Sequence, residues 1–236
     1  MKRIGIIGSG AIGSGIARLA VAAGYEVLIA NSRGPESLRG LVEELGTGAR
    51  AAHDAREAAE FAPITVLAVP LSAYRDLPAD ALAGTTVLST GNYYPHRDGR
   101  IARLDALELT TAELEAELLP GALLVKAFNN ILAHHIPALA GSMPRTALAI
   151  FGDDDGAKTG AGALVDDLGF EPVDAGTLAE SWRAEPDSGA YTPVYAADPA
   201  TLAADHLSDP GAPVSADQLR RLLGASHRAD VAARQF

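Results

Sequence analysis

Arg3-Ile4-Gly5-Ile6-Ile7-Gly8-Ser9-Gly10-Ala11-Ile12-Gly13 decides the fold of this 236-residue chain. The β-branched run Ile4, Ile6, Ile7 reads as a buried strand that feeds into G-x-G-x-x-G at Gly8, Gly10 and Gly13. Ile12, Ile16, Leu19 and Ala23 then recur at helical spacing up to Gly24-Tyr25, a C-terminal stop. Strand, glycine turn and helix form the first half of a dinucleotide-binding βαβ unit. Gly8 permits the tight turn, Gly10 lets the backbone approach a pyrophosphate, and Gly13 lets helix and strand pack closely. A plain structural glycine turn would fit the spacing too, but the flanking elements argue for a nucleotide.

The second strand bears on which dinucleotide. Tyr25-Glu26-Val27-Leu28-Ile29-Ala30 runs apolar and ends at Asn31-Ser32-Arg33. An NAD site places Asp or Glu here to accept hydrogen bonds from the adenosine ribose. Asn31 is neutral, and Ser32 and Arg33 can donate to a 2′-phosphate that a carboxylate would repel. The residues therefore favour NADP over NAD; the bland alternative is a solvated polar turn.

Downstream, apolar runs alternate with helical patterns. Helices are expected over 35–45, 54–61, 71–82, 111–119 and 153–168. Strands are expected over 48–52, 64–69, 86–89, 123–125, 146–151 and 170–173. The continuous apolar run 64–69 is what a strand buried on both faces requires. The fold class is α/β, a Rossmann-like doubly wound parallel sheet with a small C-terminal extension. The expected division is a nucleotide-binding domain over 1–178 and an extension over 179–236. Prolines break the segment 185–213, and a tail helix is expected from Ser215, its N-cap.

Composition narrows the function. A net charge of −11 without a basic run argues against nucleic acid or an anionic membrane surface as partner. The absence of cysteine excludes disulfides, thiol catalysis and cysteine-ligated metals. No apolar stretch approaches the ~20 residues of a membrane helix, and the chain enters a strand by residue 3, so a cytoplasmic protein is expected. The histidines lack zinc-ligand spacing, and Asp153-Asp154-Asp155 reads better as a helix cap than as a metal site.

Ligands of an open parallel sheet gather at the carboxyl ends of its strands. Val69 and Pro70 offer an apolar wall there, and the segment 126–133 brings Lys126, two amides and an apolar patch. Lys126 is a weak candidate for a general acid, set against a backbone-bonding lysine at a strand end. His134 and His135 are expected to face different directions, with structural or surface roles. Tyr93, Tyr94, Tyr191 and Tyr195 are loop hydroxyls able to stack on a planar substrate or protonate one.

Taken in order, the opening strand and glycine turn, Asn31-Ser32-Arg33, Lys126-Ala127-Phe128-Asn129, Gly152-Asp153-Asp154-Asp155 and Asp174-Ala175-Gly176 resemble the NADP oxidoreductase family that uses the deazaflavin coenzyme F420. The resemblance spans roughly residues 2–180. It implies hydride exchange between NADP(H) and the deazaflavin on a Rossmann domain, in a homodimer. It also implies that Ser9, Gly10, Ala11 and Ile12 cradle the pyrophosphate and that Ser32 and Arg33 hold the 2′-phosphate. Leu71, Asn129, Ile131 and Ala133 would line the nicotinamide and the docking face of a small-molecule acceptor. After residue 176 the sequence departs from the family pattern. Two other functions stay open: an NADPH-dependent reductase of another small molecule (a flavin, imine, quinone or carbonyl), and a non-catalytic NADP(H)-binding sensor.

Overall fold

A computed structural model describes residues 2–234. Eight strands form one sheet: β1 (Arg3–Ile7), β2 (Glu26–Ala30), β3 (Ala49–Ala51), β4 (Ile64–Leu67), β5 (Thr86–Ser89), β6 (Leu123–Lys126), β7 (Ala147–Gly152) and β8 (Glu171–Asp174). Their order is β3-β2-β1-β4-β5-β6-β7-β8. The helices are α1 (Ala11–Ala22), α2 (Arg39–Leu45), α3 (Ala55–Glu60), α4 (Ala79–Leu82), α5 (Pro95–Asp98), α6 (Ala102–Asp105), α7 (Thr111–Leu118), α8 (His135–Leu139), α9 (Asp155–Asp167), α10 (Pro199–Ala204) and α11 (Ala216–Ala225). None of the described helices is long and apolar enough to cross a membrane.

The strands run apolar because both faces of the sheet are covered, and their side chains alternate between two cores. Ile4, Ile6, Val27, Ile29, Val66, Leu88 and Val125 pack on one face with Ile16, Ala17 and Ala20 of α1. Ile7, Leu28, Ala30, Leu67, Val87 and Leu124 pack on the other, with Ala58 and Ala59 of α3 and Tyr74. The order reverses at β1, which lies between β2 and β4. That reversal opens the crevice where ligands of such sheets bind.

β1 to β6 are parallel, as expected, but β7 runs antiparallel to β6. The only helix between them, α8, is about 7.5 Å long at 1.5 Å per residue, too short to carry the chain back along the sheet. The two strands overlap only at Val125↔Gly152 and Lys126↔Phe151. Most of β7 therefore projects past the carboxyl edge of β6, and a parallel β7–α9–β8 unit completes the sheet.

The expected boundary between 178 and 179 falls inside a 3-10 turn, Leu178–Ala184. Ala184, Ala190, Tyr195, Val214, Leu219 and Leu223 share one apolar core with β1 and α1. The tail helix forms as expected, with Ser215 accepting the Gln218 N–H, and it packs against β7 and β8. Its Leu219 and Leu223 are thus covered by its own chain. The proline-rich stretch also holds a short helix, α10, capped by Asp198. The helix expected over 71–82 divides into a 3-10 turn, Leu71–Asp76, and α4, because Pro78 interrupts it. Distant parts of the chain are fastened at Asp167, which pairs with Lys2 and accepts from Tyr25 Oη at 2.6 Å.

Candidate functional site

The glycine turn after β1 is shaped by contacts that only glycine permits, and by one gap. Gly8 has φ +112°, and a Cβ there would lie 2.2 Å from the Ala68 carbonyl oxygen. A Cβ on Gly13 would meet the Gly8 carbonyl at 2.0 Å. On Gly10 a Cβ would meet nothing within 4 Å among the described residues, so that backbone faces open space. Gly10 caps α1 without a side-chain hydrogen bond, and the first turn carries no acidic residue. The helix's first amides are left for an anion, and the turn fits a pyrophosphate.

At the end of β2, Asn31 organises the corner. Its Nδ2 donates to Ser9 Oγ at 2.8 Å and Ser37 Oγ at 2.9 Å, and its Oδ1 accepts the Arg33 N–H at 2.9 Å. Ser32 and Arg33 are exposed, and the Arg33 guanidinium has no partner among the described residues. Gly8, Ser9, Gly10, Asn31, Ser32, Arg33, Val69 and Pro70 line one cleft of about 620 Å³. A cation without a partner, a hydroxyl and no carboxylate at the β2 end suit a 2′-phosphate.

The cleft also has walls that the sequence reading missed: His53, Asp54 and Ala55 at the end of β3, and Ala73, Asp76 and Leu77 beyond Pro70. β3 lies beside β2, so its carboxyl end necessarily faces the corner. Recognising 48–52 as the strand next to β2 was the available signal. Asp54 is occupied in capping α3, and the Glu57 amide it accepts holds its carboxyl below the usual range. Leu71 lies outside the cleft: it is 2% exposed and packs in the core with Tyr74. Ile12 packs against the opposite core.

The segment after β6 behaves differently. Phe128 takes φ +60° and packs edge-on against Phe170, with ring centroids 5.6 Å apart. The turn it makes drives Asn129 and Asn130 inward. Asn129 Nδ2 donates to the Ala184 carbonyl at 2.9 Å, and Asn92 Nδ2 donates to the Asn129 carbonyl at 2.7 Å. Asn130 Nδ2 donates to the Ala190 carbonyl at 2.9 Å. Ile131 is 2% exposed in the core. Of the residues expected to line the acceptor, Ala133 opens on a second groove of about 430 Å³, with Leu132, His134 and Pro137. Ala11, Gly15 and Arg18 of α1 form its other wall, and His206 and Leu207 its rim. Ala11 follows Gly10 directly, so this groove starts where the glycine turn ends.

Lys126 is fully buried. Its Nζ lies 2.8 Å from both Glu115 carboxylate oxygens. Ser89 Oγ donates to Glu115 Oε2 at 2.7 Å and accepts from Tyr74 Oη at 2.8 Å and from the Gly91 N–H at 3.1 Å. Burial, then the Glu115 charge, pushes the Tyr74 phenol well up. A general acid must reach its substrate; this ammonium is sealed under the Gly91 turn.

The tyrosines are engaged too. Tyr93 Oη donates to Asp105 at 3.1 Å, Tyr94 and Tyr191 bond to each other, and Tyr195 Oη donates to the Ala147 carbonyl at 2.9 Å. His134 and His135 do not diverge as expected. Both Nε2 atoms lie 2.9 Å from one acceptor, the Asp209 carbonyl, because the loop holding Asp209 folds over the start of α8. Asp154 caps α9 through the Ala157 N–H at 2.7 Å, as the helix-cap reading expects.

Residues 3–93 match the family described as NADP oxidoreductase, coenzyme F420-dependent. The match covers under half of the chain, and the matched region contains every residue lining the first cleft. The solved structure of a hypothetical protein, SMa0349 from Sinorhizobium meliloti, is 34% identical and superposes with TM-score 0.68, covering 77% of this chain and 88% of that one. A structure provisionally named an F420-dependent NADP-reductase, from Arthrobacter sp. FB24, shares the fold at 22% identity and TM-score 0.64, covering 77% and 87%. The metalloreductase STEAP3 of Rattus norvegicus is 31% identical over 185 residues, which are 78% of this chain and 36% of that protein. The chain spans less than half the length of the curated relatives it matches.

Proposed function

We propose that this protein belongs to the matched family and is an NADP(H)-dependent oxidoreductase that passes hydride between NADPH and a deazaflavin of the F420 type. One observation carries the NADP half: the open Gly10 backbone and the unpartnered Arg33 guanidinium share a single cleft. When bound, the two rings supply the hydride chemistry themselves, so the protein contributes binding and orientation. In this reading Ser9, Gly10 and the first amides of α1 hold the pyrophosphate, Ser32 and Arg33 hold the 2′-phosphate, and Val69 and Pro70 flank the adenosine. The groove at Ala133 receives the acceptor, and its apolar lining by Leu132, Pro137 and Leu207 suits a planar ring.

The test is a steady-state assay of NADPH oxidation with the oxidised deazaflavin. We expect turnover, and we expect Ala133→Trp to abolish it while leaving NADPH affinity within a few-fold. A second reading, reduction of an imine, quinone, flavin or carbonyl, is favoured by His134 and His206 on the groove. Imidazoles can deliver the proton that a reduced imine or carbonyl must take up. Turnover with one of those acceptors and none with the deazaflavin would establish it. NADPH binding without turnover on any acceptor would leave a sensor.

A further inference from the structure

The amide of Asn31 touches both halves of the phosphate-binding apparatus, and its orientation is fixed by its partners. The Arg33 N–H can only donate, so the Asn31 atom 2.9 Å away is the acceptor Oδ1. Nδ2 therefore faces Ser9 and Ser37, with one proton for Ser9 Oγ at 2.8 Å and one for Ser37 Oγ at 2.9 Å. Ser37 in turn has two acceptors for its own proton, the Gly34 carbonyl at 2.7 Å and Asn31 Oδ1 at 3.1 Å, and the nearer one takes it. Every hydrogen in this cluster has a destination except that of the Ser9 hydroxyl. A serine hydroxyl has one proton and two lone pairs. Asn31 occupies a lone pair, so the Ser9 O–H is left as a donor in the cleft that both residues line.

We propose that Asn31 is a positioning residue that sets the polarity of the Ser9 hydroxyl, holding its proton toward a pyrophosphate oxygen of the bound dinucleotide. The inference rests on the dinucleotide-binding reading above and gives Asn31 a different part in it. Its amide is wholly engaged by protein, so it acts through Ser9 and the Arg33 backbone rather than as a ligand. An aspartate at this position would do the opposite. Its carboxylate has no proton to give and would accept the Ser9 O–H, turning that hydroxyl's lone pairs toward the phosphate. The residue that distinguishes the 2′-phosphate corner thus also controls a donor to the pyrophosphate.

A double-mutant cycle on the full chain tests this, read by calorimetric titration with NADPH and, separately, with NADH, which has the pyrophosphate but no 2′-phosphate. In the Asn31 background, Ser9→Ala should weaken both cofactors by about tenfold, as expected for losing one hydrogen bond to a charged group. In the Asn31→Asp background, Ser9→Ala should cost nothing, because the proton is already turned away. Direct effects of the aspartate on the ribose or 2′-phosphate cancel in the cycle. With Asn31→Ala, which releases the hydroxyl without reversing it, the Ser9→Ala effect should shrink to a few-fold. An equal Ser9→Ala cost in all three backgrounds, or none in the Asn31 background, overturns the inference while leaving the dinucleotide reading intact. Failure of the unsubstituted chain to bind either cofactor overturns both.

Discussion

The two ends of the carboxyl edge use polar residues in opposite ways. At β1 and β2, Gly10 has an open approach, and the Arg33 guanidinium and the Ser9 proton have no protein partner among the described residues. At β5 and β6 the polar side chains bind one another or the C-terminal segment: Lys126 to Glu115, Asn92 to Asn129, and Asn130 to Ala190. Both ends offered candidate residues as sequence, Lys126 only a weak one. The difference teaches that a ligand site is marked by donors left over where a cleft can reach them. At the buried end the amide Nδ2 atoms are all used, and only the sealed Oδ1 atoms of Asn129 and Asn130 lack a partner among the described residues.

The largest expected effect tests the satisfied end. Lys126→Met should destabilise the protein by about 3–5 kcal/mol, because Glu115 is left buried and uncompensated. Lys126→Met with Glu115→Leu should recover most of that loss in chemical denaturation. If Lys126→Met instead keeps its stability and loses only turnover, Lys126 is catalytic and the contrast between the two ends collapses.

Next comes the open end. Arg33→Ala should weaken NADPH by about one to two orders of magnitude, the range for a charge-assisted contact, and leave NADH nearly unchanged. Calorimetry showing equal losses for both cofactors would remove Arg33 from the 2′-phosphate.

A smaller effect concerns pH at the strap over α8. Burial lowers the His135 pKa, so the folded state favours the neutral ring. The unfolded histidine takes a proton near pH 6.5. His135 therefore costs no stability at higher pH, and stability should fall as pH drops below that value toward the folded pKa. His135→Gln should remove this part of the slope in urea titrations across that range; an unchanged slope would mean that the burial shift is absent.

The smallest expected effect on stability is that of Gly10→Ala, within about 1 kcal/mol, the cost of alanine at an N-cap, since the added methyl meets no neighbour within 4 Å. Its cofactor affinity should nonetheless drop, because that methyl occupies the approach to the backbone. A thermal melt shifted strongly downward would show that Gly10 is structural.

Much of this was legible in the sequence. Ile4, Ile6 and Ile7 announce a strand buried on both faces, and Gly8, Gly10 and Gly13 announce the turn, because local geometry needs those residue types. The antiparallel entry of β7 was not legible, since its direction depends on how short α8 is and where the chain emerges from it. The fate of Asn129 and Lys126 was not legible either. Their partners, Ala184 and Glu115, lie 55 and 11 residues away, and a polar residue at a strand end reads alike whether it meets a ligand or its own chain.

The fastening of Lys2 and Tyr25 to Asp167 spans 165 and 142 residues. It makes the order of synthesis matter. Contacts so far apart in the chain form late and slow folding. The segment 3–93 carries the whole first cleft, yet Ile16, Ala17 and Ala20 of α1 share their core with Phe151, Phe170 and Tyr195. A nascent chain that has completed the cleft still exposes that apolar face until the last third emerges from the ribosome. Over that interval the segment that carries the cleft depends on residues not yet made, and its uncovered α1 face is open to chaperones and to aggregation.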